Sequence, residues 1–291
     1  MTSAGQTELQ HIVFGVVAVD LHAVAAGPRD GPLVILLHGF PESGYGWRNQ
    51  IVPLAEAGFR VVVPDQRGYG RSGKPKGIAA YGLDTLAADI LGIADACGAE
   101  KFDLVGHDWG GIVAWWAALR YPDRVRRLVV VNAPHPIAGR RYAKRHWGQL
   151  LRSWYIFFFQ IRRLPEWLLS RGNFALLRGA FAVSAPRGLF TEDEFRHYCE
   201  AWSEPGALTP MLDWYRAFRH FRARNTDLVV RQPTLILWGD RDLYLAFGLA
   251  EASLAFCADG RLRRIEGASH WLQHEGPEMV AEEIIGFLSI R

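Results

Sequence analysis

The stretch Gly106-His107-Asp108-Trp109-Gly110 lies where an apolar run, Phe102–Val105, meets a segment rich in alanine and tryptophan that opens at Gly111. Taken as strand, sharp turn and helix, it is the G-x-D-x-G form of a turn that holds a nucleophile clear of a sheet. The flanking glycines let the backbone double back there. Such a turn usually displays a serine; this chain has Asp108, and no G-x-S-x-G occurs anywhere in it. A serine hydroxyl is neutral at pH 7 and needs a base, whereas a carboxylate with a pKa of about 3.9 is already an anion. Attack by serine on a saturated carbon would leave an ether, which water does not readily cleave. Attack by aspartate leaves an ester, whose carbonyl carbon activated water can reach. Asp108 at this turn therefore predicts displacement at tetrahedral carbon followed by ester hydrolysis.

That water needs a base. His270, in EGASHWLQHE, follows the late apolar segment Leu262–Ile265 and precedes the last helix, in a loop that can reach the carboxyl ends of the strands. His38, His107 and His135 also lie near strand ends, and His274 is one helical turn away. His38 and His107 are expected to shape turns, and His274 to face elsewhere. An acid should fix the His270 tautomer and stabilise the imidazolium. The segment TLILWGDRD offers Asp240, expected to fix the turn, and Asp242, the preferred partner of His270. The other position where an acid could stand, after the preceding strand, reads Asn132 and carries no charge. The tetrahedral intermediate of ester hydrolysis needs backbone donors. Trp109 N–H is one, and Phe40 N–H in HGFPES is the other, since Pro41 has no N–H. Trp109 and Phe40 are also expected to border the substrate pocket.

Short buried strands must position these groups. Leu33–Leu37, Arg60–Val63, Phe102–Val105, Leu128–Val131 and Leu235–Trp238 are apolar but for Arg60 and Asp103, as parallel strands covered on both faces should be. Helices are predicted at Trp47–Ala57, Leu83–Cys97, Gly111–Arg120 and Pro277–Leu288, with Thr85 opening the second and Gly58 and Gly98 as stops. The alternation implies a mostly parallel sheet flanked by helices, with His11–Val17 and Val19–Ala25 as an antiparallel edge. Between Pro134 and Arg231 the alternation stops. Aromatic, helical segments such as SWYIFFFQ, PEWLL and MLDWYRAFRHF replace it, which predicts an inserted helical lid. The expected division is a core of residues 1–134 and 227–291 with a lid over 135–226.

Composition excludes several classes. No apolar run approaches the ~18 residues a membrane-spanning helix needs, and no basic region precedes Ile12–Val19, so a strand fits that run better than a signal peptide. Nothing resembles a nucleic-acid motif. The three cysteines are scattered, without metal or redox spacing, and suit free thiols in a cytoplasmic protein. Net charge is +3, but Pro136–Gln232 carries 16 Lys+Arg against 8 Asp+Glu. A solvated arginine-rich surface is the reading adopted for it, with an anionic ligand or partner surface as the alternative.

HGFPES, DQRGYGRS, GHDWGG, GDRD and SHW, in this order, resemble the epoxide hydrolases of the α/β-hydrolase fold over nearly the whole chain. The resemblance implies two lid tyrosines that hydrogen-bond and protonate the epoxide oxygen. SWYIFFFQ matches the first at Tyr155 and LDWYRAF the second at Tyr215. A phenol with a pKa of about 10 stays protonated at pH 7 and can donate to a developing alkoxide. The substrate implied is a small apolar epoxide, the product a vicinal diol, and neither metal nor organic cofactor is required. Trp154, Phe157, Phe158, Phe159 and Trp202 hint at an apolar pocket. Haloalkane dehalogenases share HDWGG, but their HGNP asparagine is Phe40 here. Fluoroacetate dehalogenases place arginines after the aspartate, where this chain has Ile112-Val113-Ala114. A dehalogenase is therefore the second expectation, and a binding protein of the same fold without turnover the third.

Overall fold

The computed structural model describes residues 7–16, 18–223 and 228–290. Val17, the end of the first expected strand, and the expected lid-to-core boundary at 226/227 lie outside them. Eight strands form one sheet: β1 (Gln10–Val16), β2 (Val19–Ala26), β3 (Leu33–Leu37), β4 (Arg60–Pro64), β5 (Phe102–His107), β6 (Val125–Val131), β7 (Thr234–Gly239) and β8 (Gly260–Ile265). Their order is β1-β2-β4-β3-β5-β6-β7-β8, with β3 to β8 parallel and β1 and β2 an antiparallel edge.

The apolar runs read as they do because both faces of the sheet are covered. Alternate residues of each central strand enter two different cores: Leu33, Ile35 and Leu37 pack on one face and Val34 and Leu36 on the other. Helices α2 (Leu83–Ala96) and α3 (Trp109–Arg120) cover the first face; α1 (Arg48–Glu56) and the C-terminal helix cover the second. α1 starts at Arg48, one residue after the expected Trp47, and α3 two residues before the expected Gly111, whereas α2 starts at Leu83 as expected. α2 begins before Thr85, with Gly82 at its cap, so Thr85 sits inside the first turn. α3 begins at Trp109, directly after Asp108, because the turn is tight enough to need no linker. Gly58 and Gly98 do end their helices, both with positive φ.

Between β6 and β7 the described residues hold only helices: α4 (Pro136–Arg145), α5 (Trp147–Arg152), α6 (Trp154–Phe158), α7 (Leu164–Leu169), α8 (Arg171–Ser184), α9 (Glu192–Ser203) and α10 (Leu208–His220). In α8, Gly172, Asn173 and Phe174 run left-handed before the regular turns begin. α11 (Gly248–Leu254), α12 (Leu272–Glu275) and α13 (Pro277–Leu288) complete the chain.

The lid is hydrogen-bonded to the core at several points. Gln149 donates to Tyr244 O at 2.8 Å and accepts from Ala246 N at 2.9 Å. Arg152 donates to Asp242 O at 2.7 Å, and Trp202 Nε1 to Pro41 O at 2.6 Å. The Trp271 indole donates to Ser184 Oγ at 2.8 Å, and Trp214 Nε1 to Arg67 O at 3.0 Å. Among the described residues, no helix is long and apolar enough to cross a membrane.

Candidate active site

The chain leaves β3 for β4 on one side and returns to β5 on the other. A crevice opens at the carboxyl ends of β3 and β5, where strand order reverses. Phe40 follows β3 and Asp108 follows β5, so both stand at this point. Asp108 has φ 48° and ψ −120°, a conformation that side-chain-bearing residues rarely adopt. The surroundings enforce it by close approach. A Cβ on Gly106 would stand 2.4 Å from Gly110 O, and one on Gly39 would stand 2.4 Å from the Asp108 Cβ. Phe40 N–H donates to Asp108 Oδ1 at 2.8 Å, which leaves Oδ2 pointing elsewhere. Trp109 opens α3 beside it, its ring 4.9 Å from that of Tyr215.

His270 and Asp242 come from separate loops and meet. His270 Nδ1 lies 2.7 Å from Asp242 Oδ2, and its Nε2 lies 3.8 Å from Asp108 Oδ2. Asp242 is fully enclosed and receives three further donors: Tyr244 N (2.7 Å) and Leu245 N (2.9 Å) on Oδ1, and Asn132 Nδ2 (2.8 Å) on Oδ2. Burial opposes its charge, but His270 and these hydrogen bonds hold its carboxyl below the usual value. Burial likewise opposes the His270 cation. The charge and hydrogen bond of Asp242, with Asp108 and Glu42 behind, outweigh it and raise His270 to about 9. At pH 7 the raised value favours an imidazolium at His270, hydrogen-bonded to Asp242 and facing Asp108. Asp240 lies apart from this group. It accepts from Arg264 and from Gly267 N and so fixes the turn after β7.

Above Asp108 lies a cavity of about 500 Å³, bordered by Asp108, Trp109, Ile112, Tyr155, Tyr215 and Phe218 among others. The Tyr155 and Tyr215 rings are 6.0 Å apart and nearly perpendicular. Burial, then nearby charges that include Asp108, push both phenols well above their usual value, which favours the protonated form. Phe40 is not among the bordering residues; its ring packs edge-on to Tyr215 at 5.3 Å and against Phe159 at 5.6 Å. Of the aromatics singled out in the sequence, Phe157 borders the cavity, Phe159 and Trp202 are core, and Trp154 faces solvent.

Two participants escaped the sequence reading. Asn132, dismissed there for lacking charge, has φ 43° and bridges Asp242 to Gly239 N, from which its Oδ1 accepts at 3.1 Å. Its place at the end of β6, beside the acid's loop, was the available signal. Glu42, inside HGFPES, is buried beneath the site. It accepts from Tyr198 Oη at 2.6 Å and Gln273 Nε2 at 3.1 Å, and His274 Nε2 lies 2.7 Å away. His107 stands 3.4 Å from Glu42 and 2.9 Å from the His270 carbonyl. His274 therefore faces Glu42 rather than Asp108. The remaining rivals also serve turns: His38 bonds to Gly39 O and Gln66 N, and His135 caps α4. No group of His, Cys, Asp and Glu suited to a metal ion occurs among the described residues.

The family profile described as alpha/beta hydrolase fold matches residues 32–171. A Bacillus subtilis relative, the AB hydrolase superfamily protein YfhM, is 43% identical over 93% of this chain and 94% of its own length. Epoxide hydrolase 4 of Mus musculus is 40% identical over 92% of this chain and 76% of its own length. The crystal structure of Bacillus megaterium epoxide hydrolase in complex with an inhibitor superposes with a TM-score of 0.87 at 31% identity. It covers 97% of this chain and 100% of that one. With its sheet order, inserted helical lid and these relatives, the chain belongs to the epoxide hydrolases of the α/β-hydrolase fold.

Proposed function

We propose that this enzyme converts small apolar epoxides to vicinal diols through a covalent ester on Asp108. One arrangement supports this above the others: Asp108, Tyr155 and Tyr215 border a single cavity, with His270 Nε2 3.8 Å from the Asp108 carboxylate. The lid, read as residues 135–226, supplies the two phenols.

In the first step Asp108 Oδ2 attacks a ring carbon from behind. The carbon–oxygen bond of the ring breaks, and Tyr155 and Tyr215 share and neutralise the developing alkoxide, one of them giving up its proton. Both phenols carry a proton at neutral pH, and an alkoxide is a stronger base than a phenolate, so the transfer runs toward the substrate oxygen. Oδ1, held by Phe40 N–H, becomes the ester carbonyl oxygen.

Esterification removes the negative charge of Asp108, one of the contributions that raise His270. The His270 proton then passes through solvent to the tyrosinate, which restores the phenol and leaves His270 neutral at the stage where a base is needed. Its Nε2 takes a proton from water, and the water oxygen bonds to the Asp108 Cγ. Phe40 N–H and Trp109 N–H are assigned to the oxyanion formed on Oδ1. Asp242 holds the Nδ1–H tautomer. Collapse breaks the Cγ–Oδ2 bond; the departing oxygen takes the proton of the new Cγ hydroxyl, which releases the diol and returns the carboxylate, with His270 again an imidazolium.

A single turnover in heavy-oxygen water tests this. The first diol should carry no label, because its new oxygen comes from Asp108, and the label should appear in the Asp108 carboxylate. Label arriving directly in the first diol would reject the covalent route.

A further inference from the structure

The lid has an apolar stripe that faces the wrong way for a core. Trp147, Leu150, Leu151, Trp154, Phe157 and Ile161 recur at the three- and four-residue spacing of one helical face along α5, α6 and the turn after it. Such a stripe normally packs inward. Here all six are exposed: Trp147 at 75%, Leu151 at 61%, Trp154 at 63% and Phe157 at 64%. The opposite side of the same segment, Gln149 and Phe159, is the buried one. Trp167 and Leu164 on α7 extend the apolar area. A contiguous display of this size marks an interaction surface rather than ordinary scattered exposure.

Its surroundings are cationic. From Pro136 to Phe190 the chain carries ten Lys+Arg and one acidic residue, Glu166, whose carboxylate is taken up by Arg216 at 2.8 Å. Lys144, Arg145, Arg162 and Arg163 are exposed around the stripe. Exposed tryptophan, phenylalanine and leucine rimmed by arginine and lysine match the boundary of an anionic lipid layer. Indole rings lie at headgroup depth there, and each cation strengthens binding about fivefold. A second copy of this chain fits less well, since two such faces brought together would oppose like charges. The catalytic cavity also opens here: Leu150, Phe157, Lys144 and Arg219 are both exposed and part of its border.

We propose that the α5–α6 face is a peripheral docking surface for anionic phospholipid bilayers, holding the cavity mouth against the lipid. An apolar substrate dissolved in the membrane then reaches Asp108 without crossing bulk water. Only this delivery step rests on the epoxide reading; the docking does not.

The full chain is mixed with phosphatidylglycerol–phosphatidylcholine vesicles, or with phosphatidylcholine vesicles alone, and sedimented at low and high salt. Binding should be at least about tenfold stronger on the anionic vesicles, weaken with salt, and be accompanied by a blue shift of tryptophan emission. The combined substitution Trp147→Gln, Leu151→Gln and Trp154→Gln should abolish it, and Arg145→Glu with Arg162→Glu should weaken it about a hundredfold or more. Both variants should turn over a water-miscible epoxide like the wild type, because none of these residues borders the cavity. Absence of binding to anionic vesicles at low salt would overturn the proposal, as would equal binding by either variant. So would a concentration-dependent dimer in light scattering that the apolar variant dissolves, which would make a second copy the occupant. Loss of all epoxide turnover with intact vesicle binding would instead refute the reaction.

Discussion

Replacing Asp242 by Asn changes one atom and sets two demands against each other. Four donors converge on the Asp242 carboxylate: Tyr244 N and Leu245 N on Oδ1, His270 Nδ1 and Asn132 Nδ2 on Oδ2. An amide offers one oxygen and one NH2. If the NH2 replaces Oδ1, two buried backbone N–H groups lose their acceptor, at about 1–3 kcal/mol each. If it replaces Oδ2, Asn132 Nδ2 loses its acceptor, and His270 must turn a bare Nδ1 toward the new NH2 and carry its proton on Nε2, facing Asp108. The second arrangement is cheaper because it strands one side-chain donor rather than two backbone donors, and the imidazole can change tautomer. It disables the base: neutral His270 then has no lone pair for water. The hydrolytic step should slow by about 10⁴-fold, or roughly 5 kcal/mol of barrier, as tautomer loss does in related triads. Alkylation, which draws on Asp108 and the phenols, should fall far less. Rapid quenching followed by intact-mass measurement should therefore show the alkyl-enzyme accumulating, with the mass of one substrate added. The pH profile of ester decay should also lose the inflection belonging to His270. Ester decay within about tenfold of the wild type, or a stalled enzyme with Asp108 unmodified, would refute the tautomer argument.

Tyr155→Phe and Tyr215→Phe should each slow alkylation by about 10²-fold, and together by far more, while ester decay changes little. Single-turnover burst rates check this, and a double variant alkylated at the wild-type rate would remove the phenols from the chemistry. Stability should peak near pH 6.5. His270, raised to about 9, contributes fully below its unfolded value of about 6.5 and loses that contribution as pH climbs through 9, at most about 3 kcal/mol. Burial lowers His135, to about 3, and also His38 and His274, so their contribution is present above pH 6.5 and lost on acidification below it. Urea midpoints at pH 5, 6.5 and 9 should fall on both sides of the centre, and His270→Gln should flatten the alkaline limb; a midpoint that rises from pH 7 to 9 would contradict the assignment.

Much of the sheet was legible because β3, β5, β6 and β7 are covered on both faces, so their residues are mostly apolar, broken by Asp103 in β5 and Arg126-Arg127 in β6. Asp108 stood out because the strand–turn–helix pattern around it is local: Gly106 answers to Gly110 and Gly111, although Gly110 itself answers to Leu37 and His38. Asn132 did not stand out. Its value comes from Asp242, 110 residues later, and nothing in its own neighbourhood records that partner. Glu42 was hidden for the same reason, since Tyr198, Gln273 and His274 reach it from distant elements. The position of Phe40 divides in the same way. Its backbone N–H follows from the turn, whereas the direction of its ring depends on Phe159 and Tyr215, which arrive with the lid. The outward stripe on α5 and α6 was visible as periodicity, but periodicity does not say which side a helix turns to solvent.

The bonds that tie Gln149, Arg152, Ser184, Trp202 and Trp214 to the core fasten the roof at several separate points around the reaction chamber. A roof fixed in this way cannot swing as a door without tearing several of them at once. The exposed residues on the border of the chamber are Lys144, Leu150, Phe157 and Arg219, and a fixed roof makes their bulk the filter on what enters. The range of molecules the protein accepts is then set by the bulk of a few gatekeeping side chains, and shaving Leu150 or Phe157 is the direct route to wider ones.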